Sequence, residues 1–336
     1  MRQAWQNWKI HVGPDLHLFG VNHLVHEGIH VDILRHKSGL VRETGRYGNL
    51  NQQLRVALKA FLYSIVYCGY FFDTRFLGLL HKSRVFRANL LSVLHSPIER
   101  NEQNRNTIDA HWKISVLSKS LYDESISAWS EFKDKFVYMP WGADLKFYPK
   151  PSCDPKPEGY ILSIGATRRD FKTLVEAAKN SDRQFIICTP QESGLAQGEL
   201  PHNVTLREKS FISFDETFEL YRKCLAVAIP LDLPEDYRGT QIGITSLLEA
   251  MAMGRPVIMT RHPLMDINIQ EERIGHWTRS KDSNSWIEAI NSISSDTDQM
   301  AAMGQRGRML CENRYNTARY GKDLFHLIRQ HPTFAS

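Results

Sequence analysis

Beyond residue 159 the chain alternates short, continuous apolar runs with stretches of helical period. Residues 160–165 form an apolar run closed by Gly165, and in residues 170–179 Leu174, Val175 and Ala178 fall on one helical face. The same reading predicts strands over 184–189, 203–206, 225–230 and 256–260, and helices over 214–223 and 246–253. Uninterrupted apolar strands alternating with amphipathic helices imply a parallel sheet covered on both faces. The first half carries the same alternation more faintly. There the pattern predicts strands at 8–12, 30–35, 89–95 and 113–117, and helices at 16–27, 50–67 and 120–133.

Between the halves, residues 148–159 hold four prolines, which exclude helix and interrupt any ladder. The division expected is an N-terminal domain over 1–147, a proline-rich linker over 148–158, a C-terminal domain over 159–310 and a terminal helical segment over 311–336. The segment 306–330 has helical period throughout. A chain of 336 residues is long enough for two such cores.

Charge is distributed unevenly. The formal net charge is +5, but residues 1–150 carry 20 Lys and Arg against 13 Asp and Glu, whereas residues 151–336 carry 22 against 24. A basic half suits phosphates, an anionic surface or a charged substrate. The longest charge-free apolar run, residues 60–72, is shorter than the ~20 residues a membrane span needs, so neither a span nor an export signal is expected. It reads as a buried helix, or as a face resting on a bilayer. The five cysteines are scattered without a CxxC pair, which predicts reduced thiols in a cytoplasm. No histidine spacing suggests a metal centre.

Ligands in an open parallel sheet bind beyond the carboxyl ends of the strands. Three such places carry candidate chemistry. In Ser163-Ile-Gly-Ala-Thr-Arg-Arg-Asp170, Gly165 turns into a helix start, and Arg168 and Arg169 stand beside it, a combination suited to a diphosphate. In residues 238–258, Gly239 and Gly243 allow close approach to a ligand, Thr245 or Ser246 is expected to cap a helix, and Glu249 sits one turn inside it, where a carboxylate can accept from a vicinal diol. The third place is His95, which ends an apolar strand. Near the start, Gly13 occupies the first strand-to-helix turn.

The run Ser246-Leu-Leu-Glu-Ala-Met-Ala-Met-Gly-Arg-Pro-Val-Ile258 resembles the nucleotide-sugar signature of retaining GT-B glycosyltransferases of family 4, the group 1 enzymes. Residues 169–177, 140–144 and 304–320 are similar to that family as well, and the likeness covers most of 137–325. It implies a GT-B fold of two Rossmann-like, doubly wound domains facing a cleft, with the terminal helix packing back on the N-terminal domain. It also implies metal-independent, hexosyltransferase-type transfer, with retention, from a nucleotide diphosphate sugar to a hydroxyl acceptor, and no cofactor beyond that donor. Carried over by position, Glu249 would bind the donor ribose, Arg168, Arg169 and Lys172 would neutralise the diphosphate, His95 would face the transferred sugar, and Gly13, Gly165 and the segment Gln241, Ile242, Gly243, Ile244, Thr245 would line the donor. The chain departs from the family at Gln241, where many members carry Glu. An amide there can bond a sugar hydroxyl but cannot offset positive charge developing on the sugar.

A non-catalytic subunit that binds sugar nucleotides or glycans stays open on the strength of Gln241, whereas an epimerase would need a carboxylate where the chain has Gln241, and no lysine has the setting of a phosphorylase-like pyridoxal site. A nucleic-acid partner has no motif behind it and is not expected. The acceptor can be a glycan, a lipid-linked sugar or a small molecule, with peripheral contact of the basic domain at the inner membrane face as one setting.

Overall fold

The computed structural model describes residues 2–10, 13–34, 49–149, 159–189, 193–195, 198–208, 212–234, 236–294 and 296–334. The proline-rich stretch from 150 to 158 lies outside them. The chain divides into two units: residues 1–141, 238–240 and 317–336 form the first, and residues 142–237 and 241–316 the second.

In the first unit four parallel strands, β1 (Ile65–Cys68), β2 (Asn89–Leu94), β3 (His111–Val116) and β4 (Phe136–Tyr138), pair in that order. β2 shows why both faces are covered. Leu91 and Val93 point to one face, where they cluster with Leu24, Tyr320 and Leu324, while Leu90 and Leu94 point to the other. The first face is filled by α2 (Val21–His26) and α12 (Thr317–Arg329), and the second by α3 (Leu50–Lys59), α4 (Arg75–Lys82), α5 (Glu102–Asp109) and α6 (Lys119–Ala128).

The early part of this unit differs from the sequence expectation. The strand expected at 8–12 is replaced by α1 (Arg2–Lys9) up to residue 9, with 11 and 12 outside the described residues. No strand forms over 30–34. The helix expected over 16–27 is split: a 3-10 turn, Leu16–Leu18, precedes α2, because Phe19 and Gly20 both take left-handed backbone angles, φ 47° and 77°. A Cβ on Gly20 would stand 2.9 Å from the Cα of Gly321, so that turn seats α2 against α12. The helix expected over 50–67 stops at Lys59, passes through a 3-10 turn, Ala60–Leu62, and becomes strand β1, whose Ile-Val-Tyr run favours a pleated surface. Residues 60–72 are therefore no single helix. α6 likewise ends at Ala128, short of 133, and passes into a 3-10 stretch, Ser130–Lys135.

His111, which opens β3, is buried, and burial pulls its imidazole down to about 4. Its ordinary value is 6.5. A lowered value makes a stabilising contribution that is fully present above about pH 6.5 and is lost as the pH falls towards 4, about 3 kcal/mol in all at 1.36 kcal/mol per unit. Urea titrations at pH 7.5 and 4.5 are expected to show a stability loss on acidification that is smaller in His111→Gln; an equal loss in both proteins would contradict this assignment.

In the second unit six parallel strands pair in the order β10-β9-β8-β5-β6-β7. They are β5 (Tyr160–Ile164), β6 (Gln184–Thr189), β7 (Val204–Glu208), β8 (Ala226–Ile229), β9 (Val257–Thr260) and β10 (Gly275–Thr278), joined by α7 (Phe171–Ala178), α8 (Phe214–Lys223), α9 (Ile244–Ala252), α10 (Ser283–Ser294) and α11 (Thr297–Asn313). Their core centres on Phe185, Ile187, Ala228, Ile258, Trp286 and Ile290.

The helical period over 306–330 is broken in the structure. α11 ends at Asn313, and the Nδ2 of Asn316 donates to the carbonyls of Cys311 (2.9 Å) and Glu312 (3.1 Å), satisfying acceptors that the helix end leaves open. The break is enforced by close approach, since a Cβ on Gly142 would lie 2.2 Å from the backbone nitrogen of Asn316.

Candidate functional site

The donor-type residues of the sequence reading gather in the second unit at the carboxyl ends of β5 and β8. Gly165 follows β5 at φ 141°, and a Cβ there would stand 2.4 Å from Nη2 of Arg169. The missing side chain is thus the space the guanidinium fills. Arg169 turns inward: Nη2 donates to Ser246 Oγ (2.9 Å) and to the carbonyl of Ile164 (3.4 Å), while its buried Nε has no partner. Burial draws this guanidinium down to about 10, against the opposing pull of Tyr221 and Glu249.

α9 starts differently from the expectation. Its N-cap is Gly243, at φ 86° and with no side chain to cap, and neither Thr245 nor Ser246 serves as the cap. A Cβ on Gly243 would come within 3.0 Å of Ile229 and Met259, so only glycine lets the chain pass over the ends of β8 and β9 here. Ser246 spends its hydroxyl on the carbonyl of Ile164 (3.1 Å) while accepting from Arg169, tying the first turn of α9 to the end of β5. An uncapped helix start leaves amide donors and the positive end of the dipole directed at the same place. Ile242 and Ile244 are buried and Thr245 half-buried.

Glu249 is held by two tyrosines that the sequence reading did not single out. Tyr148 donates to Oε1 at 3.1 Å and Tyr221, from α8, to Oε2 at 2.9 Å. Burial raises the carboxyl of Glu249 above its usual range, while the two phenols and Arg169 pull it back. The same burial, with the carboxylate next to them, raises both phenols. Tyr148 is fixed in turn, since its carbonyl accepts from Nη1 of Arg308 at 2.7 Å. Each oxygen of Glu249 keeps a further acceptor site beyond the phenol it already holds.

The other expected residues lie apart from this pair. Arg168 is exposed at φ 47°, its Nε donating to the carbonyl of Asp232 (3.0 Å) and its guanidinium over the ring of Tyr237. Lys172 is exposed on the first turn of α7. The Nε2 of Gln241 donates to the carbonyl of Leu264, so the amide that replaces the expected carboxylate is tied to backbone.

Gly13 and His95 belong to the first unit. His95 follows β2, and its Nε2 lies 2.9 Å from the carbonyl of Gly69. A carbonyl can only accept, so Nε2 carries the proton and Nδ1 is left as an acceptor. The ring packs among Phe19 (5.5 Å), Tyr70 (5.7 Å) and Trp141 (6.1 Å), and burial lowers its pKa. His17 stands edge-on to Trp141 at 5.4 Å with its pKa lowered in the same way. Gly13 is buried before the Leu16–Leu18 turn, but no described strand precedes it. The sequence reading assigns no role to His17, Tyr70 or Trp141, because what brings them to His95 and to one another is the tertiary fold.

Residues 160–296 match the family described as Glycosyl transferases group 1. The D-inositol 3-phosphate glycosyltransferase of Corynebacterium urealyticum is 29% identical over 170 residues, 48% of this chain and 38% of that protein, so the chain spans little over a third of that relative. Among solved structures, sucrose-phosphate synthase from Thermosynechococcus elongatus superposes with a TM-score of 0.68 at 18% identity, over 91% of this chain and 86% of its own. Anabaena HepE in complex with UDP and glucose gives 0.63 at 15% identity, over 84% of each chain. The fold is GT-B. Within this GT-B chain the matched family segment contains Gly165, Arg168, Arg169, Lys172, Gln241 and Glu249, and excludes Gly13 and His95. Among the described residues, no three His, Cys, Asp or Glu side chains gather to hold a metal ion, and no helix is long and apolar enough to cross a membrane.

Proposed function

We propose that the chain is a glycosyltransferase of the retaining family 4 type, hexosyl-transferring and metal-independent, which moves a sugar from a nucleotide diphosphate sugar to a hydroxyl. The observation that carries this reading is the arrangement at the start of α9: an inward-turned Arg169 with an unpartnered buried Nε, one helical turn from a carboxylate that two phenols hold in place. Glu249 would accept from the two ribose hydroxyls with its remaining lone pairs. Arg169, the amides at the start of α9 and the exposed cations Arg168 and Lys172 would receive the negative charge that builds on the leaving diphosphate. In the first unit, a neutral His95 would offer Nδ1 to a hydroxyl of sugar or acceptor. The match to the group 1 family and the likeness to a HepE structure holding UDP and glucose support the same donor class.

A second reading, a non-catalytic sugar-nucleotide binder, draws on one observation: Gln241 is neutral and bonded to the Leu264 carbonyl where a carboxylate would steady the sugar. Incubation with labelled nucleotide sugars and a panel of hydroxyl acceptors separates the two. Release of nucleoside diphosphate with a new glycoside is expected. Nucleotide binding without turnover over the whole panel would favour the second reading.

A further inference from the structure

The amino-terminal corner of the first sheet exposes large apolar side chains within a ring of cations. On α3 and the 3-10 turn that continues it, one face (Gln53, Val56, Ala57, Ala60) packs inward. Another, spaced 54, 58, 61 and 62, stands in solvent, with Leu58 73% exposed, Phe61 81% and Leu62 65%. Parallel pairing of Ile65 with Asn89, together with the bond from Asn89 Nδ2 to the carbonyl of Ser64 (3.0 Å), brings the chain just before β1 beside the chain just before β2. That second segment presents Arg84, Val85 (72% exposed) and Arg87, while Phe86 is buried in the same cluster as Val56 and Ala57. Lys59, Arg84 and Arg87 carry no carboxylate partner among the described residues. Between residues 49 and 98 the only acidic residue is Asp73, and it lies past the opposite end of β1.

We infer that this corner docks on an anionic lipid surface, with Leu58, Phe61, Leu62 and Val85 entering the interface and Lys59, Arg84 and Arg87 meeting the headgroups. Protruding aliphatic and aromatic tips beside long cationic stems match an interface that is apolar below and negatively charged above, and the Asp32 carboxylate at this edge already accepts from the Tyr63 hydroxyl. A second copy of the chain is a poor occupant, because a two-fold contact through this face would set the same cations against one another. The inference rests on the first unit alone and is independent of the transfer reading.

The test is co-sedimentation of the full chain with vesicles of phosphatidylcholine alone and of phosphatidylcholine with phosphatidylglycerol, at low and high salt. Wild type is expected to partition onto the mixed vesicles at low salt, at least tenfold more than onto the neutral ones, and to release as salt rises. Each cation near the surface contributes about fivefold, so K59E/R84E/R87E should lower partitioning by about 100-fold or more. L58S/F61S, which changes only exposed side chains, should lower it while the thermal midpoint and nucleotide binding stay as in wild type. Failure of the wild type to bind mixed vesicles, equal binding by the charge-reversed variant, or a concentration-dependent dimer that L58S/F61S abolishes would each overturn the proposal.

Discussion

Replacement of Arg169 by Met is expected to weaken binding of a nucleoside diphosphate by about 10- to 100-fold, the equivalent of a charged hydrogen bond of about 1.5–3 kcal/mol, and to leave a nucleoside almost unaffected. The geometry explains why the loss should fall on the phosphates. The guanidinium fills the space that Gly165 leaves open, is anchored by Ser246 and the Ile164 carbonyl, and keeps a buried nitrogen without a partner. That unpartnered nitrogen is a cost to the unliganded protein and a donor in waiting for an anion. Burial of the cation opposes folding while its bonds to Ser246 and Ile164 favour it, so Arg169→Met should still give a folded protein whose nucleoside binding reports an intact site while diphosphate affinity falls. Calorimetric titration of diphosphate and nucleoside into the two proteins checks this. Equal affinity for the diphosphate in both would remove Arg169 from the binding reading.

The tyrosine pair carries the second large effect. Tyr148→Phe and Tyr221→Phe each delete one donor to Glu249, and about 1–3 kcal/mol of stability should go with each. The pH behaviour distinguishes this from simple loss of packing. Burial raises the carboxyl of Glu249 and the phenols lower it, so removal of both leaves burial less opposed and the pKa rises further. The double variant is then expected to lose nucleotide affinity on acidification at a higher pH than wild type does, and to regain it as the pH rises and the carboxylate reappears. The linkage runs opposite to that of His111. A raised carboxyl favours the folded state most below its unfolded value, and that contribution is lost as the pH climbs through the raised one. Glu249→Gln should abolish the pH dependence together with the affinity. A double variant with a binding curve parallel to wild type at every pH would show that the phenols do not govern Glu249.

Much of the second unit was legible in the chain because each element there announces its own ends. β5 closes on Gly165, β9 begins after Arg255-Pro256, and the helical faces of α7 and α8 hold to a 3.6 period between them. The first unit hid its edges. The apolar run from Ala60 carries no glycine or proline until Gly69, so the step from helix to strand β1 leaves no mark in composition, and what decides it is pairing with β2, a segment more than twenty residues on. The split between the Leu16–Leu18 turn and α2 depends on Phe19 in a left-handed conformation that nothing in its side chain favours.

The candidate site divides in the same way. Arg169 and Glu249 could be placed by motif, but the groups that set their state could not. Tyr148 and Tyr221 reach Glu249 from 101 and 28 residues away, and Ser246 reaches Arg169 across 77. Such contacts belong to the tertiary fold. Gln241 is the converse case, where the substitution was visible in sequence but its attachment to the Leu264 carbonyl was not.

The most direct test of the donor reading is calorimetric titration of UDP, GDP, ADP and TDP, and of their sugars, into wild type and Glu249→Ala. One nucleotide class is expected to bind wild type and to stabilise it by about 2.7 kcal/mol at a hundredfold excess over Kd, with the variant losing most of that affinity. Absence of binding by every nucleotide to wild type, or undiminished binding to Glu249→Ala, would contradict the assignment of this site.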